Sequence, residues 1–186
     1  GKESQGNALA VSCAIVARQF GRPAKMRYDR DDDMIITGKR HDFRIDYRVG
    51  TDAAGRVQGL EFLQLARCGW AQDLSLPVAD RAMLHADNAY NLDHSDIESH
   101  RLRTNTQSAT AYRGFGGPQG MLGVERVMDH IAHQLGLDPL AVRQTNFYTD
   151  MTDASGGGIS ANVKTAQTTP YHMPVEDFIG HGLVAE

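Results

Sequence analysis

Alternating apolar and charged residues near the middle of the chain predict a strand. The apolar positions are Phe43, Ile45, Tyr47 and Val49, and charged residues stand between the first three and before the last. This alternation is typical of an antiparallel strand that buries one face. A turn at residues 51–55 is followed by a second apolar-rich stretch at 57–66, so the pattern predicts a β-hairpin.

Helical spacing of apolar residues predicts four helices around this hairpin. They are expected at residues 9–20, 75–84, 118–135 and 138–146. Glycine follows the first helix at Gly21 and the third at Gly136, as is common at helix ends. Shorter patterns predict strands at residues 24–28 and 97–106. The mixture predicts an α+β fold, in which antiparallel or mixed β-hairpins pack with helices, and not a doubly wound sheet.

The composition changes after residue 148. Gly, Ser, Ala, Thr and Asn dominate residues 150–169, which predicts a flexible surface segment. A short helix is predicted around residues 175–183. We therefore divide the chain into a domain at residues 1–148 and a flexible C-terminal extension at 149–186.

Composition and charge narrow the functional classes. The chain has 186 residues and a net charge of −4, and it contains no apolar run of the ~20 residues that a membrane helix needs. These values give no reason to expect a nucleic-acid or membrane partner. Cys13 and Cys68 lie far apart and form no zinc or iron–sulfur motif, so we expect reduced core thiols and a cytoplasmic location.

The strongest functional signal is a glycine-rich loop at the start of the helix at 118–135. Residues 113–117 read Arg-Gly-Phe-Gly-Gly, and Pro118 suits the first turn of a helix. Glycines allow positive φ and let another molecule approach the backbone amides. Unpaired amides at a helix N-terminus favour anionic ligands, and Arg113 adds a positive charge. The alternative is a tight turn before a core helix, without a ligand.

Several motifs resemble, in the same order, those of the xanthine dehydrogenase and aldehyde oxidase family, the molybdenum hydroxylases. The loop at residues 111–119 is similar to the family's Arg-Gly-Phe-Gly loop in the molybdenum-cofactor subunit. Residues 1–4 resemble the end of a second glycine-rich loop. Residues 28–41 resemble an Asp-Arg-x-x-Asp-Met and Thr-Gly-x-Arg-His segment, and residues 81–90 resemble a further family block.

The resemblance implies that residues 1–148 are part of a molybdopterin-binding domain. The cofactor would be a molybdenum–molybdopterin complex, with 2Fe-2S and FAD in other domains or subunits of the complete enzyme. Arg113, Gly114, Gly116 and Gly117 match the family's cofactor loop, and the backbone of Arg113 matches a position that approaches the molybdenum ligands. Such a cofactor performs the oxidation, while the protein orients and polarises the substrate.

Three residues match substrate-binding positions of the family. Glu3 matches a glutamate that hydrogen-bonds a purine ring, and Arg81 matches an arginine on the far side of that ring. Glu3 and Arg81 are the catalytic candidates. The fixed guanidinium of Arg81 would stabilise negative charge that develops on the ring. Phe115 matches a phenylalanine that stacks on the substrate. Without the resemblance, Glu3 would be interpreted as a solvated acid and Arg81 as a surface arginine paired with Asp80. Phe115 would be interpreted as a loop aromatic that packs in the core.

Glu3 and Arg81 together favour a purine substrate. Aldehyde-oxidising members tend to have apolar or uncharged residues at these positions, and the carbon monoxide dehydrogenase relatives have a cysteine in the loop. We therefore predict oxidation of xanthine or hypoxanthine to urate. Two alternatives stay open: an aldehyde or N-heterocycle oxidase of the same family, and a non-catalytic structural or interaction module.

The chain is predicted to be part of a longer subunit. It has no initiating Met and starts within a glycine motif, and the family's catalytic glutamate lies in a later part of the subunit. We expect the isolated chain to be inactive and to hold molybdopterin weakly or not at all. The complete enzyme is expected to be a homo-oligomer that includes an FAD and iron–sulfur domain or subunit.

Overall fold

Helices and strands alternate irregularly along the chain, which confirms the predicted α+β class. The computed structural model describes residues 5–147. Its elements are α1 (Asn7–Phe20), α2 (Arg30–Ile36), β1 (Phe43–Thr51), β2 (Val57–Gly69), α3 (Ser75–Leu84), β3 (Ser95–Arg103), α4 (Gly117–Leu135) and α5 (Pro139–Asn146). Within this part of the chain, no helix is long and apolar enough to cross a membrane.

The three strands form one mixed sheet in the order β1-β2-β3. β1 and β2 are antiparallel, with Tyr47 opposite Phe62, so the predicted hairpin is confirmed. β3 runs parallel to β2, with Ile97 opposite Phe62. A parallel neighbour needs a crossover connection, and α3 lies within that connection. The crossover brings α3 to the sheet before the chain enters β3.

The core lies between the sheet and α4. Phe62 of β2 is fully buried and belongs to one cluster with Val124, Val127 and Met128 of α4. Three of the alternating apolar positions of β1, Ile45, Tyr47 and Val49, pack against this cluster. The period of two in β1 and the helical period in α4 therefore mark the two faces that meet.

Asn146 connects the end of α5 to the hairpin turn. Its buried side chain accepts a hydrogen bond from the Val57 amide and donates to the carbonyl oxygens of Gly55 and Val142, each at 2.8 Å. Its own backbone carbonyl accepts from the Asn91 amide at 2.8 Å. Because every polar atom of the side chain has a partner, this buried amide is compatible with an apolar surrounding.

One local prediction was wrong, and one helix was not predicted. Residues 24–28 are in no strand, although apolar residues alternate there. Residues 30–36 form α2, which was not predicted. The Asp29 carboxylate caps this helix by accepting from the Asp32 amide at 2.8 Å, and three further aspartates occupy its first turn. Acidic residues are favourable at that end of a helix.

The remaining predicted elements either differ from the observed ones only at their ends or lie outside the described residues. The third strand ends at Arg103, whereas the pattern extended it to residue 106. The flexible segment at 150–169 and the helix around 175–183 lie outside the described residues.

Candidate functional site

The glycine-rich loop has an unusual backbone. Arg113, Gly114, Phe115 and Gly116 follow one another with φ values of 30°, 101°, 55° and 96°. Such values suit glycine, but each costs roughly 1–3 kcal/mol for other residues. Since Arg113 and Phe115 are not glycine, surrounding contacts must hold the loop in this shape. Strain of this kind is typical of ligand-binding loops.

The loop leaves backbone donors available at the start of α4. The Gly117 amide donates to the Gly114 carbonyl at 3.1 Å, and the Gly120 amide donates to the Gly116 carbonyl at 3.2 Å. Within residues 5–147, the amides of Gly114, Phe115 and Gly116 have no acceptor. These donors lie at the positive end of a helix of 19 residues. The arrangement can hold an anionic or strongly polar ligand.

Several glycines of this region also permit close packing of α3 and α4. A Cβ at Gly116 would overlap the Val78 carbonyl, and a Cβ at Gly120 would overlap the Ala82 carbonyl. These two glycines are buried. These two glycines therefore also serve the packing of α3 against α4, because the backbone of α3 uses the space that a side chain would need.

Gly117 differs from these glycines. A Cβ at this position would lie 3.6 Å from Arg81 Nε and 3.7 Å from His85 Cδ2, which is ordinary contact. The structure thus brings Arg81, in the last turn of α3, beside the loop. The neighbouring Asp80 forms an ion pair with Arg101 at 3.3 Å. Arg81 is half-buried, so its guanidinium is partly shielded from solvent.

The other predicted site residues differ in where the structure places them. Phe115 lies in the loop and is half-buried. Glu3 lies outside the described residues. Arg113 is exposed, and its guanidinium carbon lies 5.7 Å from the centre of the Tyr112 ring. Of the predicted pocket, the described residues therefore place Arg81, Arg113 and Phe115 at or next to one loop.

A segment around residues 38–41 packs against the residues that flank the loop. The Lys39 carbonyl accepts from the Thr110 amide at 2.9 Å, and His41 Nε2 lies 2.7 Å from Ser75 Oγ. The Gln119 side chain, in the first turn of α4, donates to the His41 carbonyl at 3.3 Å. The sequence marked this segment as a motif, but it did not indicate that the segment connects α3, α4 and the loop.

Arg40 makes the most direct contact of this segment with the loop. Its Nη2 donates to the Arg113 carbonyl oxygen at 2.7 Å. The guanidinium carbon lies 5.1 Å from the centre of the Tyr112 ring, within cation–π distance. The sequence analysis did not single out Arg40 as a site residue. Its place in the Thr-Gly-x-Arg-His motif was the available signal, although this motif did not indicate the contact with the loop.

We predict that His41 makes the stability of the domain depend on pH. Burial lowers the pKa of His41 below its ordinary value, whereas in the unfolded chain it returns to about 6.5. The unfolded state therefore binds more protons below that pH, and the free energy of unfolding decreases as the pH falls from 7 to 5. Denaturant unfolding across this range measures the slope.

Two variants test this assignment. His41→Gln removes the titrating group and should flatten the dependence between pH 7 and 5, even if the variant is less stable overall. His100→Gln changes an exposed histidine that pairs with Glu98 at 3.2 Å, and it should keep the slope of the wild type. An unchanged slope in His41→Gln would contradict the prediction.

The described residues offer no metal site made of side chains. Within residues 5–147, no group of three or more His, Cys, Asp or Glu residues could hold a metal ion. Cys13 and Cys68 are free, and Cys68 is buried. A metal in this site would therefore need ligands carried by a cofactor or by other parts of the protein.

The fold and the loop together define a cofactor-binding α+β domain, in which a strained glycine loop presents amides at a helix N-terminus. The sequence matches the molybdopterin cofactor-binding domain family over residues 1–147. The chain therefore belongs to this family.

The relatives with curated names include xanthine dehydrogenases. The chain is 36% identical to xanthine dehydrogenase of Drosophila subobscura over 178 residues, which is 96% of this chain and 12% of that protein. It is 43% identical to xanthine dehydrogenase/oxidase of Gallus gallus over 148 residues, which is 80% of this chain and 11% of that protein. The chain thus spans only a small part of the length of these relatives.

Solved structures of the same fold have lower sequence identity. Quinoline 2-oxidoreductase from Pseudomonas putida 86 aligns with a TM-score of 0.69 and 22% identity, over 94% of this chain and 23% of that chain. The Cu,Mo-CO dehydrogenase aligns with a TM-score of 0.67 and 20% identity, over 94% of this chain and 23% of that chain. At these identities the comparison supports the fold alone.

Proposed function

We propose that this chain contributes the cofactor loop and part of the purine pocket of a molybdenum-dependent xanthine dehydrogenase. The observation that carries the proposal is the position of Arg81 beside the loop. A Cβ at Gly117 would lie 3.6 Å from Arg81 Nε. This position places a cationic side chain beside the loop whose amides at Gly114, Phe115 and Gly116 have no acceptor within residues 5–147. The similarity to curated xanthine dehydrogenases over most of the chain supports the same assignment.

The loop fits a molybdopterin cofactor. Its amides at Gly114, Phe115 and Gly116 have no acceptor within residues 5–147, so they can donate to anionic or oxygen-bearing groups of the cofactor. Gly114 and Gly116 can adopt their positive φ values without steric cost, because they have no Cβ. When bound, the cofactor would supply the oxidation of an electron-poor carbon, which no side chain can perform.

Side chains of this chain would orient and polarise the substrate. The Arg81 guanidinium would stabilise negative charge that develops on a purine ring or its carbonyl oxygen, more strongly in the transition state than in the ground state. Phe115 would stack on the ring and restrict it to one plane. Glu3 would hydrogen-bond the ring nitrogens. Arg113, Gly114, Gly116 and Gly117 would hold the cofactor.

The complete enzyme would include further components. We propose that the enzyme is a cytoplasmic homo-oligomer whose other domains or subunits would hold a 2Fe-2S centre and FAD, which would supply electron transfer. The isolated chain would be inactive, because the general base of the family is assigned to another part of the subunit. The substrate is proposed to be xanthine or hypoxanthine, with urate as the final product.

The proposal is tested on the intact polypeptide that carries this domain. Molybdenum content is measured first, and then the turnover of xanthine with NAD or an artificial electron acceptor. Bound molybdenum with xanthine turnover is the expected result. Molybdenum with turnover of aldehydes or N-heterocycles, but not of purines, would overturn the purine assignment and retain the cofactor assignment. No molybdenum, and no binding of purines or pterins in titrations, would favour a structural or interaction module.

A further inference from the structure

We propose that Arg40 is a positioning residue for the cofactor loop, and that it directs the Gly114 amide toward the bound cofactor. This inference rests on the proposed function above and assigns a role to a residue outside the predicted pocket. The side chain of Arg40 reaches the loop from a segment 73 positions earlier in the sequence, so it is a long-range constraint on the loop.

Two contacts define the position of the Arg40 guanidinium. Nη2 donates to the Arg113 carbonyl oxygen at 2.7 Å, which is the short distance expected when the donor is charged. The guanidinium carbon lies 5.1 Å from the centre of the Tyr112 ring. An aromatic ring and a carbonyl from consecutive residues therefore hold one planar group, as suits an arginine better than a lysine.

The backbone that carries Arg40 is itself fixed on both sides. The preceding carbonyl, of Lys39, accepts from the Thr110 amide at 2.9 Å. The following residue, His41, is only 2% exposed and contacts Ser75. Close packing continues at Gly38, where a Cβ would lie 2.5 Å from the Ser108 carbonyl oxygen. Because its base is fixed, Arg40 can restrain the loop rather than follow it.

The geometry of the peptide bond carries this restraint to Gly114. No peptide bond in the described part of the chain is cis, and in a trans peptide the carbonyl and the following N–H point in opposite directions. The Arg113 carbonyl points at Arg40, so the Gly114 N–H points away from it. Within residues 5–147 this N–H has no acceptor, which leaves it available to a ligand.

The same contact opposes a competing loop conformation. Gly114 has a φ of 101°, and a glycine can adopt other φ values at little steric cost. Rotation of the peptide between Arg113 and Gly114 would change this φ and would turn the Gly114 N–H away from the ligand. A charged donor on the carbonyl holds the peptide in place, and it also polarises the N–H into a stronger donor.

The experiment measures cofactor retention in the intact polypeptide that carries this domain. Wild type and the variants Arg40→Met, Arg40→Lys and Arg44→Met are loaded, and the molybdenum remaining per protein is followed during dialysis. Arg44 is the matched control, because it is an exposed arginine that pairs with Asp46 at 3.0 Å on β1. We expect Arg40→Met to lose molybdenum roughly 10- to 100-fold faster, as for loss of a charged hydrogen bond.

The other variants separate positioning from charge. Arg40→Lys keeps the charge without the planar fork and should lose molybdenum at an intermediate rate, whereas Arg44→Met should match the wild type. The melting temperatures of the cofactor-free forms should agree, since a general loss of stability would lower them. Equal loss rates in wild type, Arg40→Met and Arg40→Lys would overturn the inference, as would equal acceleration in Arg40→Met and Arg44→Met.

Two further results are also decisive. If Arg40→Met does not fold, Arg40→Lys decides the matter, and a loss rate equal to that of the wild type overturns the inference. If the wild type holds no molybdenum, the proposed function itself fails, and the role of Arg40 fails with it.

Discussion

Arg81→Met in the intact enzyme should reduce kcat/KM for xanthine by roughly 10²–10³-fold, the loss typical of removing one donor that stabilises transition-state charge. Turnover of a simple aldehyde should change far less. The physical reason is that a purine places developing negative charge on its ring and carbonyl oxygen, where the Arg81 guanidinium can act. An aldehyde has no ring group at that distance from the reacting carbon. Steady-state kinetics with both substrates on the same preparation measure the difference.

Arg101→Met is the control for this prediction. Arg101 belongs to β3 and pairs with Asp80, the residue next to Arg81, at 3.3 Å. Its replacement removes a neighbouring positive charge without changing the loop, so both turnovers should stay close to those of the wild type. Equal losses for xanthine and aldehyde in Arg81→Met would contradict the purine assignment. Such a result would leave Arg81 as a residue that supports the loop.

Gly120→Ala should destabilise the domain by about 3 kcal/mol or more, the upper range for overpacking a close contact. A Cβ at Gly120 would overlap the Ala82 carbonyl oxygen and lie 3.0 Å from its carbon. Both partners are helix backbone, so neither can move without shifting α3 against α4. The effect has the opposite sign to the usual gain from Gly to Ala in a helix, which is up to about 1 kcal/mol. Denaturant unfolding gives the free energy.

Gly117→Ala is the matched control for stability. Gly117 belongs to the first turn of the same helix, but a Cβ there would meet its nearest atoms at 3.6 Å or more. This variant should unfold within about 1 kcal/mol of the wild type. If both variants unfold alike, the close approach of α3 to Gly120 does not determine the stability of this interface.

Much of the fold follows from local patterns in the sequence. The alternation from Phe43 to Val49 predicted β1, and the helical spacing of apolar residues predicted the length of α4. Pairing between distant segments was harder to predict. Alternation at residues 24–28 did not produce a strand, because a strand also needs a neighbour that satisfies its backbone. β3 has only two apolar residues, Ile97 and Leu102, which lie on opposite faces of the strand, so its parallel pairing with β2 could not be predicted from periodicity.

α2 shows a signal that was present but not used. Asp29 is a favoured N-cap residue, and aspartates follow at 31–33, where a helix N-terminus favours negative charge. Seven residues are too few for a helical period to stand out, so only the cap chemistry could have identified this helix. The resemblance to a family motif drew attention to the same residues without predicting their conformation.

The candidate site was predictable in kind but not in construction. The glycines, Pro118 and Arg113 indicated a loop at a helix N-terminus, and the loop is found there. The role of Gly116 and Gly120 in helix packing could not be inferred, because it depends on how closely α3 approaches. The contact from Arg40 was equally hidden, since it joins residues that only the folded chain brings together.

The hydrogen bonds of Asn146 change how the tip of the hairpin should be treated in protein engineering. Turns between antiparallel strands are usually the first places chosen for inserted tags or new chain termini. Here Gly55 and Val57 are both bound to the side chain of Asn146. An insertion between them would separate the turn from the end of α5. The exposed side chains of the turn suggest that it would tolerate an insertion. Its backbone, however, connects the sheet to the last described helix through these hydrogen bonds.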